Sequence, residues 1–168
     1  MELYVDADVN RVYDLSLVDF PLGAKVKDQS GRLYVFCKYN EGDGAVTGTE
    51  GMVVVGLDDD ELEYEVTADV DSATINALRG DAKGIIVPAS VADGEGFFAQ
   101  FAGRNVKAMI TDGAVANGQS LKPHITTNGG VDTYLGSEPF PSFAIALADD
   151  SGTSLAIGDC RLYCPTVR

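Results

Sequence analysis

The chain has 168 residues, with 26 acidic against 12 basic side chains and a formal net charge of −14. Its length fits one domain or two small ones, and a hydrophobic content of 45% supplies a core and argues against wholesale disorder. So acidic a field disfavours nucleic acid and anionic membrane surfaces as partners, because both are recognised through basic charge. No apolar run approaches the roughly 18 residues of a spanning helix.

The first residues, Met1 to Asp6, carry neither the basic nor the apolar region of a secretory signal. The expectation is a protein that stays where it is made, in the cytoplasm, or leaves it as part of something larger. Residues 1–20 contain no glycine, and their apolar residues follow neither a period of 2 nor one of 3.6. They read as an extended N-terminal arm whose apolar groups need a partner in another chain. The candidate contacts are Leu3, Tyr4, Val5, Val12, Tyr13, Leu15, Leu17 and Phe20. An ordinary first strand lying on the chain's own core fits the same residues equally well.

Beyond the arm, 19 glycines and 6 prolines punctuate short apolar stretches, as in an all-β protein. Asp28-Gln29-Ser30-Gly31 is a turn signature. The strand predicted after it, 32–39, has one face of Leu33, Val35, Cys37 and Tyr39 and another of Tyr34 and Phe36. Met52 to Val55 reads as a short buried strand. Glu61 to Val66 alternates acid with Leu, Tyr and Val, which predicts one wet face. Ser72 to Leu78, with Ser72 as cap and Gly80 as stop, is the one place for a short helix. Gly84 to Val87 reads as a strand stopped by Pro88, and Phe97 to Phe101 as a strand ended by Gly103. Val106 to Ile110 follows, then strands around Leu121, Val131, Phe143–Leu147 and Cys160–Tyr163, with Asp112-Gly113 and Asn117-Gly118 as turns. Eight to eleven short strands at this spacing predict an all-β fold with little helix, a small Greek-key-like or closed β-barrel or sandwich. The expected organisation is an arm at 1–20, a β-rich part at 21–80 and a compact β-barrel domain at 81–168.

The residues with chemical potential form no catalytic or ligand pattern. Three cysteines, Cys37, Cys160 and Cys164, and a single histidine, His124, lack the usable spacing of a four-ligand zinc site, since no second ligand pair accompanies Cys160 and Cys164, so reduced thiols in strands are expected. Asp58-Asp59-Asp60-Glu61 lacks the alternate spacing, fixed glycine and terminal glutamate of a calcium loop and reads as a solvated acidic turn. Ser120 and His124 have no positioned acid or elbow motif. Gly94-Glu95-Gly96 and Gly42-Asp43-Gly44 do not open helices after strands, so they are no phosphate cradle. With 26 acids a carboxylate pair for glycoside hydrolysis stays open, although the lack of tryptophan weighs against sugar stacking while seven tyrosines remain. The expectation is no enzyme, no metal and no cofactor.

From Ala82 to Tyr163 the order of elements resembles the decoration or cement proteins of tailed-bacteriophage heads. The matching stretches are Ala82–Pro88, Gly96–Gly103, Val106–Ile110, Gly113–Leu121, Thr127–Val131 and Phe143–Leu147. They read as a strand with a Q-x-x-G end, a second strand, a v-x-x-G-x-x-L turn and strand, a G-G-V turn and an A-x-A-L strand. The resemblance covers about half the chain. It implies a virion component on the outer capsid surface, made in the host cytoplasm, that clamps neighbouring major capsid proteins and is often a homotrimer. The rival readings are a carbohydrate- or receptor-binding β-module on a virion or cell surface, and a hydrolase.

Overall fold

The computed structural model describes residues 6–57, 64–70, 81–111, 115–136, 142–149 and 156–164, with the side chains of Val106, Ala156 and Ile157 not described. Within these residues the chain is all-β, with thirteen strands and no helix. In chain order they are β1 (Val12–Tyr13), β2 (Lys25–Lys27), β3 (Leu33–Tyr39), β4 (Gly48–Thr49), β5 (Val53–Gly56), β6 (Glu65–Thr67) and β7 (Ala82–Ile86). There follow β8 (Ser90–Val91), β9 (Gly96–Ile110), β10 (Ser120–Pro123), β11 (Val131–Thr133), β12 (Ala144–Ala146) and β13 (Ala156–Tyr163). The helix expected at 72–78, the acidic turn at 58–61 and the Asp112-Gly113 turn lie outside the described residues.

Instead of one clean barrel, the strand pairings close on themselves twice, and β9 belongs to both circuits. The first runs β9–β3–β6–β5–β7 and back to β9, antiparallel except for β3 beside β6. The second runs β9–β13–β12–β10–β11 and returns to β9 through the parallel pair Val131–Ile110. Closing a ladder removes edges that would otherwise present unpaired N–H and C=O groups. β2 extends the sheet beside β3, β1 beside the start of β9, and β4 with β8 forms a separate ribbon.

One apolar core runs through both circuits, from Val35, Cys37, Phe97 and Ala99 to Leu121, Val131, Phe143 and Leu162. β7 pairs with β5 on one side and β9 on the other, so strands from 21–80 and from 81–168 share this sheet. The two faces read for β3 are both buried. Val35, Cys37 and Tyr39 join the main core, whereas Tyr34 and Phe36 join a second cluster with Ala24, Val26 and Phe98 on the outside of the first circuit. The turn before β3 forms as read: Gly31 adopts φ 83° and its N–H donates to the Asp28 carbonyl at 3.1 Å.

Two expectations are corrected. Gly103 does not end a strand. It takes φ 92° inside β9, two residues after Phe101, which the register shift between Leu33 and Tyr34 of β3 leaves as the extra residue, and the strand bulges there and continues. Glu65 does not face water: it is buried, with Lys38 Nζ at 3.1 Å from one carboxylate oxygen and Asn40 Nδ2 donating to the other at 3.1 Å. A buried carboxylate is stable only when paired and hydrogen-bonded, and Lys38 of β3 with Asn40 just after it supplies both partners.

Candidate functional site

The N-terminal segment lies against the outer aromatic cluster of its own chain. Val12 and Tyr13 pair with Phe97 and Gly96 of β9. The Tyr13 ring stands edge-on to Phe20, Phe36 and Phe98 with centroids 5.6, 5.8 and 6.0 Å away, and Phe20 stands edge-on to Phe36 at 4.6 Å. These are favoured edge-to-face distances. The Tyr13 hydroxyl donates to the Asp8 carbonyl at 2.7 Å and thereby closes the preceding turn. Leu15 and Val18 pack on the same cluster. Of the predicted contact residues, then, Val12, Tyr13, Leu15 and Phe20 turn onto the chain itself. Leu17 turns away and is 80% exposed; Leu3, Tyr4 and Val5 lie outside the described residues.

Where β9 passes from one circuit to the other, two buried amides bridge the bulge. Gln100 Nε2 donates to the carbonyls of Ala102 at 3.3 Å and Arg104 at 2.9 Å. Asn105 Nδ2 donates to Gln100 Oε1 at 3.0 Å, and Asn105 Oδ1 accepts the Lys107 N–H at 2.8 Å. Beside this bridge is a cavity of about 190 Å³ lined in part by Asn10, Arg32, Tyr34, Gln100, Asn105 and Lys107. Its polar groups are already engaged. Arg32 Nε reaches Ser30 Oγ at 2.8 Å and Asp28 at 3.1 Å, and Lys107 Nζ lies 2.5 Å from Glu50. Burial, together with a hydrogen bond to Asp28, pushes the Tyr34 phenol up to about 12, so at neutral pH it is a fixed donor.

The outward face of the second circuit carries a different surface. Antiparallel partners share a face, so Ser120, Ile145, Arg161 and Arg104 form a row across β10, β12, β13 and β9. Ile145 is 37% exposed, and Tyr163, two residues beyond Arg161, is exposed on the same face and touches the Ser142 hydroxyl. Arg104 is held by both carboxylate oxygens of Asp159. Arg161 makes no ion pair among the described residues, although it stands directly across from Arg104. Like charges in that position repel. Behind this row is an inward one, Leu121–Ala144–Leu162–Gly103, in which two leucines flank an alanine. Sequence reasoning missed the outward row because Phe143-Ala144-Ile145-Ala146-Leu147 puts its large residue outside and its alanines inside. The pairing of Ala144 between two buried leucines explains why.

The residues weighed for chemistry have structural surroundings. Cys37 and Cys160 lie in strands, and Cys164 follows β13; all three are free and buried. Burial pushes the Cys37 and Cys160 thiols up to about 12 and raises Cys164 as well, so none is a thiolate at neutral pH. His124 Nδ1 accepts the N–H groups of Thr126 at 3.1 Å and Thr127 at 2.9 Å and so organises the turn after β10. In the Gly42–Gly44 loop the Gly44 N–H donates to Asp69 at 2.9 Å, which pins the loop to the end of β6. Among the described residues no group of three or more His, Cys, Asp or Glu side chains is placed to hold a metal ion.

No protein family matches the sequence, and no curated protein does. Among solved structures, the fold is similar to the N base of the head fiber gp8.5 of bacteriophage phi29, with a TM-score of 0.48 and 9% identity, over 78% of this chain and 93% of that one. A likeness of that depth carries no argument about function.

Proposed function

We propose that this chain is a non-enzymatic structural protein of a tailed-phage virion. It decorates the outer capsid surface and stabilises the shell by bridging neighbouring major capsid proteins. The observation that carries this reading is where the decoration-protein resemblance falls. The Q-x-x-G end is Gln100 to Gly103, the bridge and bulge that carry β9 from one circuit to the other. The G-G-V turn is Gly129-Gly130-Val131, whose last residue closes the second circuit on Ile110. The A-x-A-L strand is β12, which supplies the outward Ile145. The matching residues therefore make the framework and an exposed face, as a protein that acts through its surface requires.

Many copies, each adding a modest interface, stabilise a shell collectively. A standard contact buries about 1,600 Å² in total, and apolar burial contributes roughly 25 cal/mol per Å² before the costs of association. An acidic outer protein is also not drawn onto packaged nucleic acid. The test is co-purification with assembled capsids. A high, fixed copy number per shell is the expected result, and free protein with no capsid association overturns the reading.

A further inference from the structure

Two exposed patches of this chain are complementary and do not meet within it. The first is the turn at 14–22, where Leu17, between exposed Asp14 and Asp19, is 80% exposed and Leu22, beyond Asp19, is 38% exposed. The second is the outward face of β12, β13 and β9, with Ile145 and Tyr163 exposed beside the cross-strand pair Arg161–Arg104. Neither Asp14 nor Asp19 forms an ion pair with Arg161 or Arg104 among the described residues. The turn packs against the start of β9 through Phe20 and Phe98, and Arg104 lies six residues further along, roughly 20 Å at the rise of a strand.

The arginine face calls for an anion from outside. Arg161 and Arg104 repel each other across the strands, and Asp159, the carboxylate that the described residues place there, is engaged by Arg104. An incoming carboxylate beside Arg161 relieves that repulsion, and apolar residues flanking it would bury Ile145 and Tyr163. The turn at 14–22 offers that combination, two carboxylates about two leucines. In a chain of net charge −14, most encounters between copies are repulsive, so the orientation that brings this face to that turn is selected.

We propose that the chain associates with a second copy of itself head to tail, the Asp14–Leu22 turn of one copy seated on the Ile145–Arg161–Tyr163 face of the next. Such a contact is heterologous: the pair keeps one free turn on one copy and one free face on the other, so association continues until a ring closes. The proposal does not depend on the virion reading, since it concerns the purified chain alone.

The experiment uses two variants that each damage one patch at exposed positions, and the stoichiometry separates this arrangement from a symmetric one. Asp14→Lys with Asp19→Lys reverses the turn; Arg161→Ser removes the face's unpaired charge without creating a carboxylate for the new lysines to meet, and Ile145→Ser is a second face variant should Arg161→Ser fold poorly by circular dichroism. In sedimentation velocity at low salt and high micromolar concentration, the unsubstituted chain is expected as a species larger than a dimer that weakens as salt rises. Each variant alone is expected as a monomer. The two variants mixed in equal amounts are expected to form one-to-one dimers and nothing larger, because only one intact turn and one intact face remain per pair. An unsubstituted chain that stays monomeric, variants that associate as it does, or a mixture that stays monomeric each overturns the proposal.

Discussion

Asn105 donates its side-chain amide to Gln100 at 3.0 Å, and through that bond the two residues brace the strand that runs from the bulge at Phe101 through Gly103. A bulge leaves backbone carbonyls outside the ladder, and in a buried strand such groups need another donor. Gln100 Nε2 serves two of them, at Ala102 and Arg104. Replacing Gln100 by leucine keeps the volume and deprives both carbonyls and the Asn105 amide of their partner. At about 1–3 kcal/mol for a buried unsatisfied group, the expected loss is about 2–4 kcal/mol in urea unfolding. The same substitution at exposed Gln29 should change stability by less than about 0.5 kcal/mol. Equal effects at the two positions would show that the bridge contributes nothing.

How much of this was legible beforehand depends on the range of the information. Turn chemistry and alternation are local, so the Asp28–Gly31 turn and the two faces of β3 were readable from neighbouring residues. The continuity of β9 was not, because a glycine at φ 92° inside a strand carries the same letter as one that stops a strand. The two closures were hidden for another reason. Each rests on a parallel pair, β3 with β6 and β11 with β9, whose partners are set by the whole ladder and by no nearby residue. The burial of Glu65 was misread because alternation assigns faces without saying whether water reaches them. Here Lys38 meets it from β3 and Asn40 from the residue after that strand. At the surface, Leu17 and Phe20 were indistinguishable as apolar letters, and only the aromatic cluster on β3 and β9 separates them.

That separation is measurable. Phe20 stands edge-on to Phe36 at 4.6 Å and contacts the Tyr13 and Phe98 rings, whereas Leu17 is 80% exposed. Phe20→Ala removes a half-buried ring and leaves the outer faces of Phe36 and Phe98 uncovered, which should cost about 2–4 kcal/mol. Leu17→Ala should stay within about 0.5 kcal/mol. Thermal unfolding of the two variants beside the unsubstituted chain decides it. If Leu17→Ala is the more destabilised, the segment does not pack as described.

Asp28 gathers an unusual share of one turn. Its Oδ1 accepts from the Ser30 N–H, the Ser30 hydroxyl and the Arg32 N–H at 2.9, 2.7 and 2.9 Å, and its Oδ2 from the Tyr34 hydroxyl at 3.0 Å. Burial alone would raise its pKa. The bonds from Ser30, Arg32 and Tyr34, with the Arg32 charge, outweigh it and hold the carboxyl below the ordinary value. A lowered folded-state pKa means that the contribution is complete above the unfolded value near 3.9 and is lost as pH falls through the folded one. Asp28→Asn should therefore lower stability at pH 7 and flatten the stability profile below about pH 4 relative to the unsubstituted chain. Parallel profiles through that window would show that the carboxylate is not what the turn uses.

At the alkaline end the thiols set the slope. Burial pushes Cys37 and Cys160 up to about 12 and raises Cys164, while in the unfolded chain each ionises near 8.5. A raised folded-state pKa gives stability that is fully present below about 8.5 and is lost as pH climbs toward the folded value. Each thiol contributes a slope of up to about 1.4 kcal/mol per pH unit once its unfolded form is ionised. Between about pH 8 and 9 no more than about a tenth of the tyrosines ionise even when unfolded, so the cysteines dominate this window. Urea midpoints measured across it under reducing conditions should fall steadily for the unsubstituted chain. They should fall less steeply for a Cys37→Ala, Cys160→Ala variant, even though that variant starts lower through its two small cavities. At neutral pH a thiol reagent should modify none of the three until denaturant is added, because a buried, protonated sulfur is neither accessible nor nucleophilic. Rapid labelling of the folded chain would mean that at least one thiol is not enclosed in the shared core.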